Sequence, residues 1–157
     1  MSINTNNKTQ LKHNYRKQFD NIITRVLKKN ALGIIYNVPK MYMSLIVNRL
    51  LDEKVHIAIN GRNAYTYEML FWRLSSYFKI KRIKPEMLPA ALNGKILTIY
   101  NADYIQKNFA RVIDECSKNK VPLLLLFNTE QPLDLLRSFY SYQRVLSIEQ
   151  DYNLFFK

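Results

Sequence analysis

The sequence has few of the residues on which catalytic and cofactor sites usually depend. Its single cysteine, Cys116, excludes an intramolecular disulfide framework and a cysteine-based zinc site. Its two histidines, His13 and His56, form no spacing with serine and acidic residues that predicts a catalytic triad. Three glycines make neither a GxxxxGK[ST] nor a GxGxxG loop. These absences predict a non-enzymatic protein without a cofactor or metal ion. We expect Cys116 to be a buried, inert thiol and His56 to be structural.

Long apolar runs are also missing. No run approaches the roughly 20 residues that span a bilayer, and the chain begins without the apolar core of a secretory signal. We therefore expect an intracellular protein without a transmembrane segment. Residues 1–29 carry seven Lys and Arg and one Asp. They resemble a mitochondrial presequence in charge alone, because such presequences favour Arg and Ser over Lys and Asn. The compartment stays open.

Negative charge is scarce in the first two thirds of the chain. Residues 1–100 carry 17 Lys and Arg against 5 Asp and Glu, whereas residues 101–157 carry 7 of each, so the first segment holds the whole net charge of +12. A codon bias toward lysine would raise Lys throughout and does not explain the neutral last third. Such a local positive field indicates a polyanionic partner, of which nucleic acid is the commonest and an anionic membrane the second.

Alternating strand and helix patterns predict an α/β protein with parallel pairing. We predict strands at 33–37, 55–59, 79–84, 95–101, 121–127 and 144–148, and helices at 10–30, 39–51, 67–78, 103–116 and 133–140, with 85–94 as a loop and Asp103 as a helix cap. Residues 1–29 form a disordered start and a basic helical arm, and residues 30–157 form one domain. Its halves, 33–84 and 95–149, both follow a β-α-β-α-β pattern, from a duplication or from the ordinary rhythm of the class. The basic helix either packs on the domain, lies along a phosphate backbone, or does both.

Basic residues interleaved with aromatics make up the candidate site. The KIKRIK segment at 79–84 alternates, which is typical of a strand with one face in solvent. Arg62 follows a glycine at a strand-to-helix turn, where helix amides favour an anion, and it either grips a phosphate or pairs with Glu68 or Asp52. Tyr42, Tyr65 and Tyr77 lie off the apolar stripes and are candidates for stacking on bases. The predicted nucleic-acid-binding residues are Lys12, Arg16, Lys17, Lys40, Arg62, Arg73, Lys79, Lys81, Arg82, Lys84 and Lys95.

Several short motifs follow one another in residues 33–84: a strand, a helix opening at Pro39-Lys40-Met41, a second strand, the pair Gly61-Arg62, a helix and the basic segment 79–84. In this order they resemble the Alba family of nucleic-acid-binding proteins. The resemblance implies a dimeric β-α-β-α-β-β fold, with phosphate contacts at Lys40 and Arg62 and a basic hairpin arm from 79–84 to Lys95. That family includes protein subunits of RNase P and related ribonucleoproteins. The chain departs from its pattern at 63–65 and has 102–157 in addition.

The sequence thus predicts a non-enzymatic RNA- or DNA-binding protein, a ribonucleoprotein subunit within a homo-oligomer, hetero-oligomer or larger complex. One alternative is a degenerate nucleotide-binding scaffold subunit that lacks a P-loop. In that case residues 60–63 would bind a nucleotide and the basic residues would be dispersed over the fold. A second alternative is a phosphate-ester enzyme whose site no motif reveals.

Overall fold

Five hydrophobic strands of this chain assemble into one parallel sheet, and helices alternate with them along the sequence. The structure is a computed structural model that describes residues 17, 20–21, 23–28, 32–36, 38, 40–52, 54–128 and 142–147. The strands are β1 (Leu32–Tyr36), β2 (His56–Asn60), β3 (Ile96–Tyr100), β4 (Leu123–Leu126) and β5 (Tyr142–Ser147). The helices between β1 and β4 are α1 (Lys40–Asp52), α2 (Tyr67–Phe78), α3 (Leu88–Leu92) and α4 (Ala110–Lys118). The predicted α/β class is confirmed.

The strands lie in the order β2-β3-β4-β1-β5, and each neighbouring pair is parallel. Ile34 is in register with Leu125 on one side and with Val145 on the other. β4 is the central strand and is buried throughout, as its continuous apolar run predicts. Both predicted halves of the chain contribute to this sheet, with β1 of the first half between β4 and β5 of the second.

Helices cover both faces of the sheet. Successive residues of a strand point to opposite faces, so neighbouring residues of β1 pack against different helices. Ile34 belongs to a cluster with α2, α3 and α4, whereas Ile35 belongs to a cluster with α1 and residues 23–28. Cys116 lies in the first cluster, where burial raises the pKa of its thiol to about 12. The predicted burial of this cysteine is therefore confirmed, and its inertness stays a prediction. The sheet separates everything carried by α2 and α4 from everything carried by α1.

The described part of the N-terminal helix packs on the sheet. Residues 17, 20–21 and 23–28 are helical, and Ile23 and Val26 are buried in the cluster beneath α1. Arg25 and Lys28 face solvent. The packing interpretation therefore holds for this part of the helix, and a role along a phosphate backbone stays a prediction. The disordered start at 1–9, the helix at 133–140 and two of the predicted site residues, Lys12 and Arg16, lie outside the described residues.

The basic segment 79–84 is not a strand, contrary to the sequence prediction. Lys79 ends α2 with φ of 55°, in the left-handed region, and the chain turns back on the helix. The N–H of Ile80 donates to the carbonyl of Ser75, and the N–H of Ile83 donates to the Ser75 hydroxyl, both at 3.0 Å. These backbone donors are paired to α2 and not to a neighbouring strand. The apolar and basic residues alternate because Ile80 and Ile83 pack against the core, while the lysines and the arginine around them are exposed.

Two further predictions fail in the connections around β3. Residues 85–94, predicted as a loop, contain a 3₁₀ turn and α3, whose Leu88 and Leu92 are one helical turn apart and buried. Asp103 does not cap a long helix, since α4 begins seven residues later. Its Oδ2 accepts a hydrogen bond from the N–H of Asn128 at 2.7 Å, which ties the loop after β3 to the end of β4. Contacts this distant leave no local signal.

Candidate nucleic-acid interface

The segment 79–85 and α2 enclose a groove of about 540 Å³. Four cations line it, namely Lys81, Arg82, Lys84 and Arg111, and all four side chains are exposed. The lining carries one carboxylate, that of Glu68. Four positive charges against one negative charge give the groove a positive field, and low-dielectric walls concentrate such a field. The groove is therefore suited to a negatively charged ligand.

Aromatic rings form the α2 side of this groove. The rings of Tyr67 and Phe71 have centroids 4.6 Å apart and are tilted by 31°. The Arg111 guanidinium carbon lies 4.1 Å from the centre of the Tyr67 ring, which is a cation–π contact between α4 and α2. Burial raises the pKa of the Tyr67 hydroxyl. Trp72, also in the lining, is 63% exposed.

Local sequence explains how α2 positions this wall. Thr66 caps the helix, its hydroxyl accepting the N–H of Met69 at 3.2 Å. Ser75, one turn before the end, donates its hydroxyl to the carbonyl of Phe71 at 2.7 Å while accepting the N–H of Ile83. A single side chain therefore fixes the returning basic segment against the helix. The cations of 81–84 are held at the groove edge by this bond and by the burial of Ile83.

The structure gathers three of the predicted residues, Lys81, Arg82 and Lys84, in this groove. Arg73 lies beside it: its guanidinium carbon is 5.1 Å from the centre of the Trp72 ring, and its Nε donates to the carbonyl of Asn63 at 3.3 Å. Lys79 is exposed at the end of α2. The remaining described positions are elsewhere, with Lys40 opening α1 on the other face of the sheet, Lys95 half-buried before β3, and Lys17 exposed in the N-terminal helix.

Sequence reasoning missed Trp72 and Arg111. A signal existed for Trp72, since Leu70, Phe71 and Leu74 take the buried stripe and leave position 72 in solvent. Arg111 lies on a different helix, 27 residues beyond Lys84 in the chain, and no local pattern links the two. Among the three proposed stacking tyrosines, Tyr77 is exposed and Tyr65 is half-buried, while the side chain of Tyr42 lies outside the described residues.

Arg62 is placed at the carboxyl edge of the sheet. Its guanidinium carbon lies 4.9 Å from the centre of the Tyr104 ring, and its backbone N–H donates to Oδ1 of Asn60 at 3.1 Å. The same oxygen accepts from Nδ2 of Asn101 at 3.0 Å. A Cβ at Gly61 would lie 2.5 Å from the carbonyl oxygen of Asn101, so this turn requires glycine. Within the described residues, Arg62 stacks on an aromatic ring and does not pair with Glu68.

In the loop after β1, both backbone groups of Val38 are occupied. The N–H of Val38 donates to the carbonyl of Phe127 at 3.0 Å, and its carbonyl accepts from Nδ2 of Asn128 at 2.8 Å. Pro39 has no N–H to offer. His56 is structural, as predicted: it is buried, with Nδ1 2.7 Å from Oγ1 of Thr98. In the parts of the chain that the structure describes, no three His, Cys, Asp or Glu gather as metal ligands.

The helices of the described ranges are all too short or too polar to cross a bilayer. The elements therefore define a protein of the parallel α/β class, with a five-stranded sheet covered on both faces and a cationic, aromatic groove over one of them.

Solved structures of similar fold include two from Drosophila. One chain of the structure of Drosophila ORC bound to AT-rich DNA and Cdc6 matches 90% of this chain with a TM-score of 0.56 and 10% identity. One chain of Drosophila ORC bound to DNA matches 90% with a TM-score of 0.54 and 12% identity. This protein spans only 29% and 31% of those chains. No protein-family model and no curated protein matches the sequence, so the Alba resemblance stays a prediction.

Proposed function

We propose that this protein binds DNA as a non-enzymatic subunit of a larger complex, and that the groove between α2 and segment 79–85 is the contact surface. The observation that carries the proposal is the convergence of Lys81, Arg82, Lys84 and Arg111, from two separate parts of the chain, around one groove. The fold supports it, since chains of similar fold occur in structures of ORC bound to DNA.

The chemistry of these side chains suits a phosphate backbone. Arginine presents a planar fork of donors that binds phosphate oxygens in pairs, and lysine adds a mobile point charge. Neutralising several phosphates releases counterions from the DNA, which favours association without reading the bases. Contacts of this kind position a nucleic acid, so we expect little sequence preference.

Two observations favour this function over a nucleotide-binding scaffold. The scaffold alternative predicts that the basic residues are dispersed, which holds for Lys17, Lys40 and Lys95, whereas Lys81, Arg82 and Lys84 share one groove with Arg111. It also predicts a nucleotide at residues 60–63, where the N–H of Arg62 already donates to Asn60. RNA binding, and with it a ribonucleoprotein, stays a rival outcome of the experiment.

A charge-reversal pair tests the proposal. Lys81→Glu with Arg82→Glu should weaken binding to a short DNA about ten-fold or more, because each lost charge-assisted contact costs about 1 kcal/mol. The matched control is Lys118→Glu with Lys120→Glu, which changes the net charge equally at the far end of α4 from Arg111. The control breaks the exposed ion pair of Lys118 with Asp114, 3.1 Å apart, which contributes little to stability.

The readout is fluorescence anisotropy with labelled DNA, with RNA of equal length and with an ATP analogue, after circular dichroism has shown that each variant is folded. An equal loss in both pairs would reduce the effect to net charge and contradict the groove. Tighter binding of RNA than of DNA would return the assignment to a ribonucleoprotein. Binding of the ATP analogue without binding of nucleic acid would favour the scaffold.

A further inference from the structure

Trp72 is a large aromatic side chain left in solvent at the edge of a cationic groove. It is 63% exposed, more than any other large hydrophobic residue whose side chain the structure describes. Burying such a large ring would contribute more to the free energy of unfolding than burying a small apolar side chain. The stability of the fold therefore gives no reason for its exposed position. Its indole belongs to the groove lining together with Lys81 and Arg82.

Arg73 is the cation neighbour of this indole. Its guanidinium carbon lies 5.1 Å from the ring centre, and Arg73 is not part of the groove lining. The guanidinium is in turn fixed by the bond from its Nε to the carbonyl of Asn63. The indole therefore contributes to the groove lining and also has a cation neighbour outside that lining. This arrangement leaves a planar platform with little conformational entropy to lose on binding.

We infer that the groove is a site for single-stranded DNA, in which Trp72 stacks on an unpaired base while Lys81, Arg82 and Lys84 hold the flanking phosphates. The inference rests on the proposed DNA-binding function and names the form of DNA. An aromatic platform beside a row of cations is the combination by which proteins bind single strands without sequence preference. Arg111, which lies over the Tyr67 ring, adds a fourth cation to the same groove.

A duplex does not use this platform. In double-stranded DNA the faces of the bases are stacked on one another, so an exposed indole can reach them only after a costly unstacking step. An acidic peptide would be attracted by the same cations, but its acidic side chains offer no aromatic base to stack on the indole. The cations would attract all of these ligands, so it is the indole that favours single-stranded DNA over a duplex or an acidic peptide.

Three ligands of equal length separate charge from stacking: an oligothymidylate of about 12 nucleotides, within the range of known site sizes, the same oligomer without bases, and a duplex. The full chain has one tryptophan, so the intrinsic fluorescence of Trp72 reports stacking directly. We expect quenching by oligothymidylate, and little quenching by the abasic oligomer at saturation.

Variants complete the test, with affinities from anisotropy of labelled ligands. Trp72→Ala should lose about five- to a hundred-fold in affinity for oligothymidylate, and Trp72→Phe should keep most of it. Neither change should alter binding of the abasic oligomer, which senses only the cations. Because the ring is exposed, both variants should fold, as circular dichroism can show.

The results distinguish a failure of the stacking inference from a failure of the proposed DNA binding. Equal effects of Trp72→Ala on all three ligands, or tighter binding of the duplex without quenching, would overturn the stacking inference and leave DNA binding in place. Absence of binding to every DNA ligand, with retention of a polyglutamate peptide, would overturn both proposals.

Discussion

His56 shows how burial sets the chemistry of one residue. The ring is 4% exposed, and Nδ1 is hydrogen-bonded to the Thr98 hydroxyl on the adjacent strand. Its other nitrogen, Nε2, is buried without a hydrogen-bond partner in the described structure. Burial lowers the pKa of His56 from 6.5 to about 4, because the charged imidazole would lose its hydration. The ring is therefore neutral at physiological pH.

This shift predicts loss of stability in acid. Above pH 6.5 the ring is neutral in both states. As the pH falls toward about 4, the unfolded chain binds a proton at His56 that the folded protein excludes, so the free energy of unfolding should fall by about 3 kcal/mol in total. Urea unfolding between about pH 7 and pH 4.5 measures it. In His56→Asn, which keeps a hydrogen-bonding group near Nδ1, this part of the slope should vanish; an unchanged slope would contradict the assignment.

Single residues were predictable from sequence when their role was local. A histidine inside an apolar strand and a cysteine on an apolar helix stripe were both expected to be structural, and both are buried. The partner of Arg62 was not predictable, because Tyr104 is 42 residues away in sequence. The same holds for Arg111, whose place in the groove depends on how α4 lies beside α2.

At the scale of elements, α2 and segment 79–84 act as one unit. Ser75 joins them, with its hydroxyl placed between the carbonyl of Phe71 and the N–H of Ile83. The bond matters more than a surface hydrogen bond, because it holds the backbone that carries Lys81 and Arg82. The segment proposed to bind DNA is thus positioned by Ser75, whose hydroxyl takes part in both of these hydrogen bonds.

Ser75→Ala should therefore lower both stability and affinity. The N–H of Ile83 loses its acceptor in a half-buried position, which costs about 1–2 kcal/mol in the free energy of unfolding. The affinity of the folded protein for oligothymidylate should fall a few-fold, since the cations are held less firmly. The matched control is Ser76→Ala, one residue on and exposed, which should change neither quantity. Loss of stability with unchanged affinity would mean that the segment is positioned by other contacts.

The sequence predicted the elements better than their ends and connections. The apolar stripes of α1, α2 and α4 and the runs of all five strands are visible in the sequence, and each exists. The KIKRIK segment has the period of a strand, yet the N–H groups of Ile80 and Ile83 are hydrogen-bonded to Ser75 and not to a neighbouring strand. Short α3 was hidden by two prolines, which here occupy the first turns, where no N–H is needed.

At the scale of the molecule, the charged and neutral parts of the sequence do not correspond to the two faces of the sheet. Net charge of +12 belongs to residues 1–100, yet those residues contribute to both faces of the sheet. The groove uses four cations, one of them from the neutral last third. The strand order was not predictable, because the alternation of strands and helices does not say which strands are neighbours.

This arrangement predicts a moderate salt dependence of binding. If the four groove cations neutralise about four phosphates, the logarithm of affinity for single-stranded DNA should fall with the logarithm of salt with a slope of about −3. Anisotropy titrations at several KCl concentrations measure it. Lys81→Glu with Arg82→Glu should flatten the slope by about half, and the Lys118 and Lys120 control should not. A slope near zero, or one steep enough to need most of the basic residues, would contradict a groove of four contacts.

The position of β1 affects how the chain is made. Its neighbours are β4 and β5, so β1 has neither partner until residue 123 and beyond have been synthesised. At usual rates of translation that interval is about 5–20 s. Closing such a long loop also slows folding. During synthesis β1 is therefore an apolar strand with two unpaired edges, so we expect the unfinished chain to be more prone to aggregation than the completed protein.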